Sequence, residues 1–383
     1  FKKIKNEKNS EVILTNVDCI DEIEKFKKVL VQFNNSTIIT KEKINFSEVT
    51  RFTQDKYLRE NLIIDYTNNE LKLSYKNKKE IYKFNTKVIC EKDIILSKDT
   101  IKNRYKLFTT GLQLFLKSIE KKFNFLKFLN IILYSYFKNF SIFNEHKAKY
   151  LLQDRVYYTC PIKNYFFKKF GGKKTACVQS HLTEGTISMF NDIDDFYTFG
   201  NENNSISYLN FMGSRISNCE PVGSLRLESF LENNSKNYHL KKNIDVLIIG
   251  VNIFSWYYLN YSTRQNYYKS FEYFAELSKK YKNLNFFFKH HPNNNIDKNE
   301  LKIVKNSNIK YIDKKINSYQ LIKNAKLFFS FSSTLILETC GKYGNSFFVD
   351  PIGDNGVFFD KNPHLHKIRI VDFKNLEKII KEL

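Results

Sequence analysis

Two apolar runs in the C-terminal part of the chain break into polar clusters. Phe286, Phe287 and Phe288 run into Lys289, His290, His291 and Pro292. Leu327, Phe328 and Phe329 lead, through Ser330 and Phe331, into Ser332, Ser333 and Thr334. A continuous apolar run with a polar end is the pattern of a parallel strand buried on both faces, with its C-terminal end on a ligand crevice. The pattern repeats. Residues 244–250, 285–289, 309–312, 325–331 and 346–350 read as strands. Helices are predicted between and after them. One is capped by Ser262 and Thr263 and runs to about 281. A short one is capped by Ser318 and runs through 323. Another opens at Thr334 and ends near Gly341 as its C-cap, and a closing helix covers 373–383. Strand-helix alternation of this kind implies a parallel sheet covered on both faces.

The first part is less regular. Residues 11–16, 36–40, 61–65, 154–160, 175–179 and 195–199 read as strands, and 219–224 as the last strand of this half. A helix-like stretch follows the first strand to about residue 30. Residues 68–98 alternate polar and apolar positions without a definite assignment. Residues 107–152 have helical periodicity, enough for two or more helices. The polar stretch 229–243 reads as a linker. The expected architecture is α/β, with two Rossmann-like domains facing a central cleft. These are an N-terminal domain over 1–228, with a basic helical insert at about 102–174, and a C-terminal domain over 244–383. A chain of 383 residues suffices for both.

Composition adds three constraints. Apolar residues are 42% and charged residues 27% of the chain, which is globular. The six cysteines form no CxxC pair and several sit in apolar runs, which suits reduced, buried thiols in a cytoplasmic protein. Residues 1–10 are charged with no apolar core after them, so no signal peptide is expected. The uncharged apolar stretch 128–137 is far short of the roughly twenty residues that a span needs. The net charge is +22 and uneven: residues 102–174 hold sixteen Lys and Arg against three acids. Such a region suits anionic lipid headgroups or a polyanionic acceptor. Nucleic acid is not expected as a partner, because no recognition-helix or RNA-binding motif accompanies the charge.

The candidate chemistry sits at the polar ends of the strands. Pro292 disfavours helical geometry at His291 and leaves it extended at the strand end. There its imidazole can donate to a phosphate oxygen, with Lys289 adding charge and His290 alongside. Ser332, Ser333 and Thr334 put hydroxyls and free backbone N–H groups at a helix N-terminus, an anion site by geometry and dipole. Glu338, one turn further, can accept from ribose hydroxyls. In the first half, His181, Thr183, Glu184 and Gly185 follow a short apolar strand. Gly185 permits a tight turn, and Glu184 and His181 are candidates for a general base. Asp192 and Asp194 make a DxD pair, but such acid pairs are common in loops, and no metal site is expected.

Glu184-Gly185, His291-Pro292 and Ser332-Ser333 occur in the order of three motifs of bacterial sialyltransferases and polysialyltransferases. Those motifs are an acidic pair followed by Gly, a His-Pro and a Ser-Ser. The second half also resembles Kdo transferases and glycerophosphotransferases that build capsule, lipopolysaccharide or teichoic acid. The resemblance covers about residues 175–350, and Phe199-Gly200 with the run from Pro221 to Ser224 is similar to the segment that closes the first domain there. It implies a GT-B fold and a metal-independent transferase without a cofactor. The donor would be CMP- or CDP-linked. The acceptor would be a glycan or lipid-linked, and the basic middle region would hold the cytoplasmic enzyme peripherally at the anionic surface of the inner membrane. By position, Glu184 would be the base, His291 would contact the donor phosphate and assist departure of the nucleotide, and Ser332 and Ser333 would hold that phosphate. The acidic pair is Thr183-Glu184 here, so one acid remains. Under the glycerophosphotransferase resemblance His181 would be the base instead. A non-catalytic glycan- or lipid-binding module is the third reading.

Overall fold

The computed structural model describes residues 11–17, 35–40, 62–67, 70–76, 81–90, 104–121, 124–126, 129, 133, 135–136, 139, 142–143, 148–154, 161–180, 191–201, 203–211, 213–233, 243–252, 261–291, 297–313, 316–351 and 363–383. In the first half, nine strands share one sheet. They are β1 (Glu11–Val17), β2 (Asn35–Thr40), β3 (Leu62–Thr67), β4 (Glu70–Lys76), β5 (Ile81–Cys90), β6 (Tyr150–Asp154), β7 (Lys174–Val178), β8 (Asp192–Thr198) and β9 (Arg215–Pro221). Their order is β3-β4-β5-β2-β1-β6-β7-β8-β9. β4 runs antiparallel to β3 and β5, and the remaining pairs are parallel. From β1 the chain winds outward to β2 on one side and, later, to β6 on the other. The switch point therefore lies between β1 and β6. Among the described residues this half has four helices: α1 (Arg104–Lys121), α2 (Pro161–Lys169), α3 (Asn203–Phe211) and α4 (Leu225–Asn233).

Several boundaries differ from the sequence expectation. The unassigned stretch 68–98 contains β4 and most of β5, an antiparallel extension whose alternating pattern suits a strand. The strand expected at 154–160 is β6, which ends where that prediction began and takes residues from the end of the helical region. β9 starts at Arg215 and stops at Pro221, because Gly223 adopts a positive φ of 80° and turns the chain. The polar stretch at 229–243 begins inside α4, and residues 234–242 lie outside the described residues, as does the helix expected before residue 30.

The second half follows its pattern closely. β10 (Ile244–Ile249), β11 (Phe286–Lys289), β12 (Lys310–Ile312), β13 (Ala325–Ser330), β14 (Ser346–Val349) and β15 (Arg369–Ile370) form an all-parallel sheet. The order is β12-β11-β10-β13-β14-β15, the doubly wound order of a Rossmann fold, with its switch point between β10 and β13. Its helices are α5 (Tyr261–Lys280), α6 (Lys298–Lys305), α7 (Ser318–Asn324), α8 (Leu335–Tyr343) and α9 (Phe373–Lys381). α6 and β15 were not legible in the pattern.

Alternation along the strands sorts the core into two layers. Val246, Ile248, Phe286, Phe288 and Phe329 pack with Phe271 and Phe274 of α5, Ile303 of α6, and Leu376 and Ile380 of α9. Leu247, Ile249, Phe287 and Phe328 pack on the opposite face with Leu321 and Ile322 of α7 and Ile336 of α8. Each fully buried Phe contributes about 1.5–3 kcal/mol, so a strand reading Phe286-Phe287-Phe288 is held from both sides. Three caps are corrected. Ser262 and Thr263 lie inside α5, which includes Tyr261 before them. α7 is capped by Asn317 rather than Ser318, its side chain accepting from Tyr319 N at 2.8 Å. α8 ends at Gly344, at φ 69°, while Gly341 lies inside the helix, because the left-handed C-cap conformation is at the later glycine.

With a largely parallel sheet followed by an all-parallel one, both Rossmann-like, the protein has a GT-B-like fold.

Candidate functional site

The end of β11 divides its side chains between the two layers. Register pairs Phe288 with Ile248 on one face, and Lys289 with Ile249 on the other. His290 continues the Phe288 side. Its Nδ1 contacts Oε2 of Glu300 in α6, and Tyr267 of α5 donates to Glu300 Oε1 at 2.5 Å. His290 and Glu300 are each 1% exposed. The expectation that His290 faces the donor is thus corrected: it anchors the strand end to α5 and α6. A buried carboxylate is stable only with partners, and His290 and Tyr267 supply them.

Lys289 lies on the α7–α8 side of the sheet and is buried. Burial depresses its pKa to about 8, partly offset by Asp313. His291 is half-buried. Burial, then the charges of Lys289 and His290, hold it down at about 4, so its imidazole is neutral at pH 7. A neutral imidazole offers one N–H donor and one acceptor. Pro292 lies outside the described residues.

β13, on the other side of β10 from β11, delivers the hydroxyls. Ser330 Oγ donates to Ile249 O at 3.1 Å, tying β13 to β10 at the switch point. Ser332, Ser333 and Thr334 follow, all half-buried. Ser333 Oγ accepts from Leu335 N at 3.3 Å, and Thr334 sits at the N-cap of α8 with no side-chain cap hydrogen bond. Ser333 O accepts from Ile336 N at 3.2 Å and Thr334 O from Glu338 N at 3.0 Å, so the first turn of α8 is held by the residues that open it. Gly250, at the end of β10, completes the floor. A Cβ there would lie 3.0 Å from Phe288 Cζ and 3.4 Å from Glu300 Oε1, so the chain passes close to the strand that carries the histidines.

On the other sheet, a small pocket opens at the C-terminal ends of β7 and β8, bordered by Gln179, Ser180, Phe199, Ser224 and Arg226. Gln179 Oε1 accepts from Phe199 N at 2.7 Å. Val222 N and Gly223 N donate to Thr198 O at 2.9 and 3.2 Å, and so the turn that carries Ser224 is folded back onto β8. Ser224 Oγ accepts from Leu227 N at 3.1 Å and caps α4. His181 and Glu184 follow Ser180 in the sequence, and both lie outside the described residues.

Ser224 also joins the two sheets. Its hydroxyl donates to Glu338 Oε2 in α8, and Tyr319 of α7 donates to the same oxygen at 2.5 Å. The rings of Phe230 and Tyr319 pack at 5.6 Å. Burial, and then the charge of Glu338, raise the Tyr319 pKa well above its ordinary value, which keeps the phenol a donor. Glu338 is thus buried and committed to two hydroxyls, which corrects the expectation that it faces a ribose. Sequence reasoning missed Tyr319 and Tyr267 because each acts through a partner distant in sequence. For Ser224 the separation from Glu338 is 114 residues. Gly250 had a visible signal, a glycine ending an apolar run.

The acid pair Asp192 and Asp194 is used otherwise. Asp192 pairs with Arg215 at 2.7 Å. Asp194 binds Lys168 at 2.7 Å and Thr175 N at 2.8 Å. Burial raises its pKa, but these hydrogen bonds and the Lys168 charge outweigh that and lower it. Both carboxylates sit at or near the start of β8, away from the strand ends that face the cleft. Among the described residues there is no group of three or more metal-ligating side chains, and no helix long and apolar enough to cross a membrane.

No protein-family profile and no curated protein matches the chain. Solved structures do. The UDP co-structure of MnaA from S. aureus aligns with TM-score 0.52 and 9% identity over 98% of this chain and 87% of that one. A Listeria monocytogenes protein described as a UDP-N-acetylglucosamine 2-epimerase gives TM-score 0.54 and 10% identity over 97% and 86%. The UDP-GlcNAc 2-epimerase of Methanocaldococcus jannaschii gives 0.51 and 12% over 97% and 91%. At these identities the likeness is one of fold, and it spans nearly the whole chain.

Proposed function

We propose that this protein is a metal-independent glycosyltransferase that takes a sialic acid- or Kdo-like sugar from a CMP-linked donor. It passes the sugar to a surface glycan or lipid-linked acceptor in capsule or lipopolysaccharide synthesis. The observation that carries this reading is the convergence of Lys289, the neutral His291 and the Ser332–Ser333 hydroxyls at the C-terminal ends of β11 and β13, the two strands that flank β10. That convergence suits a phosphate, and the solved structures of like fold include one holding UDP and two described as acting on UDP-GlcNAc, so a nucleotide-linked sugar fits the fold.

The roles follow from chemistry. As the bond between the anomeric carbon and the phosphate oxygen breaks, negative charge develops on the departing nucleotide. Lys289, the His291 N–H and the hydroxyls of Ser332 and Ser333 would be donors for that charge. Glu184 would take the proton of the acceptor hydroxyl as its oxygen bonds to the anomeric carbon. His290, Glu300 and Tyr267 would hold the strand end in place. A second reading has an observation of its own. The epimerases of like fold act on a UDP-linked sugar, so a UDP-sugar enzyme on the same scaffold is the competitor.

A thermal-shift screen against CMP, CDP, UDP and GDP, repeated on His291→Ala, tests the proposal. A ligand that binds only the native state raises the melting temperature by mass action. Stabilisation by CMP that the variant loses supports the CMP-linked reading. Selective stabilisation by UDP transfers the assignment to the second reading, and no response to any nucleotide removes both.

A further inference from the structure

One face of α1 is both apolar and exposed. Phe108 is 68% exposed, Leu112 48%, Phe115 46%, Leu116 59% and Ile119 63%, and Leu126 beyond the helix is 72% exposed. At roughly 100° per residue, the five helix positions fall within an arc of roughly 100°. Ser118 lies off that arc and is buried, so the helix packs inward by another side. Single exposed apolar residues are ordinary, but a contiguous stripe marks an interaction surface.

The surrounding charge selects the partner. Arg104 and Lys106 stand at the start of the helix, and Lys121, Lys122 and Lys127 at and beyond its end. Glu120 is the sole acid between residues 104 and 127, and it is paired with Lys121 at 2.8 Å. α1 is too polar to span a bilayer. A helix with an apolar arc and basic ends lies in the plane of an anionic lipid surface. A second copy of the chain would bring two sets of basic residues together, so charge favours lipid over self-association.

We propose that α1 docks the protein on an anionic bilayer, with Phe108, Leu112, Phe115, Leu116 and Ile119 sunk at the headgroup–acyl boundary and the basic residues at its ends near lipid phosphates. This is independent of the catalytic reading. It explains how the enzyme would remain beside a lipid-linked acceptor.

Flotation of the full chain with phosphatidylcholine vesicles, with and without phosphatidylglycerol, tests it. The expected result is partitioning onto the phosphatidylglycerol vesicles and a fall of about a hundredfold in the triple variant Phe108→Ser, Leu116→Ser, Ile119→Ser. Since those side chains are exposed, its circular dichroism and melting should match the parent. Should the triple variant misfold, Phe108→Trp gives a second readout, with new blue-shifted emission quenched by brominated lipid. The proposal is overturned by equal partitioning of parent and triple variant, by equal binding to phosphatidylcholine alone, or by no shift or quenching in Phe108→Trp. It is also overturned if sedimentation shows a dimer that the triple substitution dissolves while the parent ignores vesicles.

Discussion

Ser224 donates its hydroxyl to Glu338, and through that contact the turn after the last strand of the first sheet is joined to the helix that follows Ser332 and Ser333. The same hydroxyl oxygen caps α4. One small side chain therefore holds the local turn and the relation between the two sheets.

Ser224→Ala removes both interactions. Loss of the cap alone costs about 1 kcal/mol. Glu338→Ala should do more damage, since it leaves the buried Tyr319 hydroxyl without its acceptor at about 1–3 kcal/mol. Urea unfolding measures both. Equal stability of Glu338→Ala and the parent would show that the junction carries little of the fold's stability.

The two histidines of the strand end should separate cleanly. His290→Ala removes one of the two partners of buried Glu300 and leaves Tyr267, with a loss of about 1–3 kcal/mol. His291→Ala should leave the fold in place and abolish the nucleotide-induced melting shift. The reverse result, a stable His290→Ala with unaltered binding, would remove the anchoring role.

Stability should depend on pH through His291. Its folded pKa of about 4 lies below the ordinary 6.5, so between those values the unfolded chain binds more protons than the folded one. Stability is therefore full above the ordinary value and is lost as pH falls toward the folded one. Acidification from about pH 7 to about pH 5 should cost about 2 kcal/mol, and His291→Ala should flatten that part of the profile. Lys289, held at about 8, works at the other end: phosphate binding should weaken as it loses its proton above that pH.

Glu184→Gln should lower turnover by about 10²–10⁴-fold and leave the nucleotide melting shift intact, as expected of a base that touches only the acceptor. Loss of activity in His181→Ala with an active Glu184→Gln would favour the phosphotransferase chemistry.

How much was legible depends on where the partner of each residue lies. The strands of the second half are continuous apolar runs that need burial on both faces, so their positions, and those of Lys289, His291, Ser332 and Ser333 at their ends, followed from period and punctuation. The pair β4 and β5 was missed because alternation in a sequence does not say which strand it faces. The cap of α7 was displaced by one residue, since Asn317 and Ser318 are both competent caps and only backbone geometry chooses.

The sequence by itself determined the layered α/β class, the doubly wound second half and the candidate phosphate-binding residues, because these depend on local hydrophobic period and on polar residues at strand ends. Tertiary structure decided the roles within the cluster. It turned His290 inward to Glu300 and left Lys289 on the other face of the sheet. It gave Glu338 to Ser224 and Tyr319 instead of to the cleft. It also left the apolar stripe of α1 exposed. The physical reason is common to all three: a side chain's burial and partners are set by which distant element packs over it, and neighbouring residues in the chain carry no record of that.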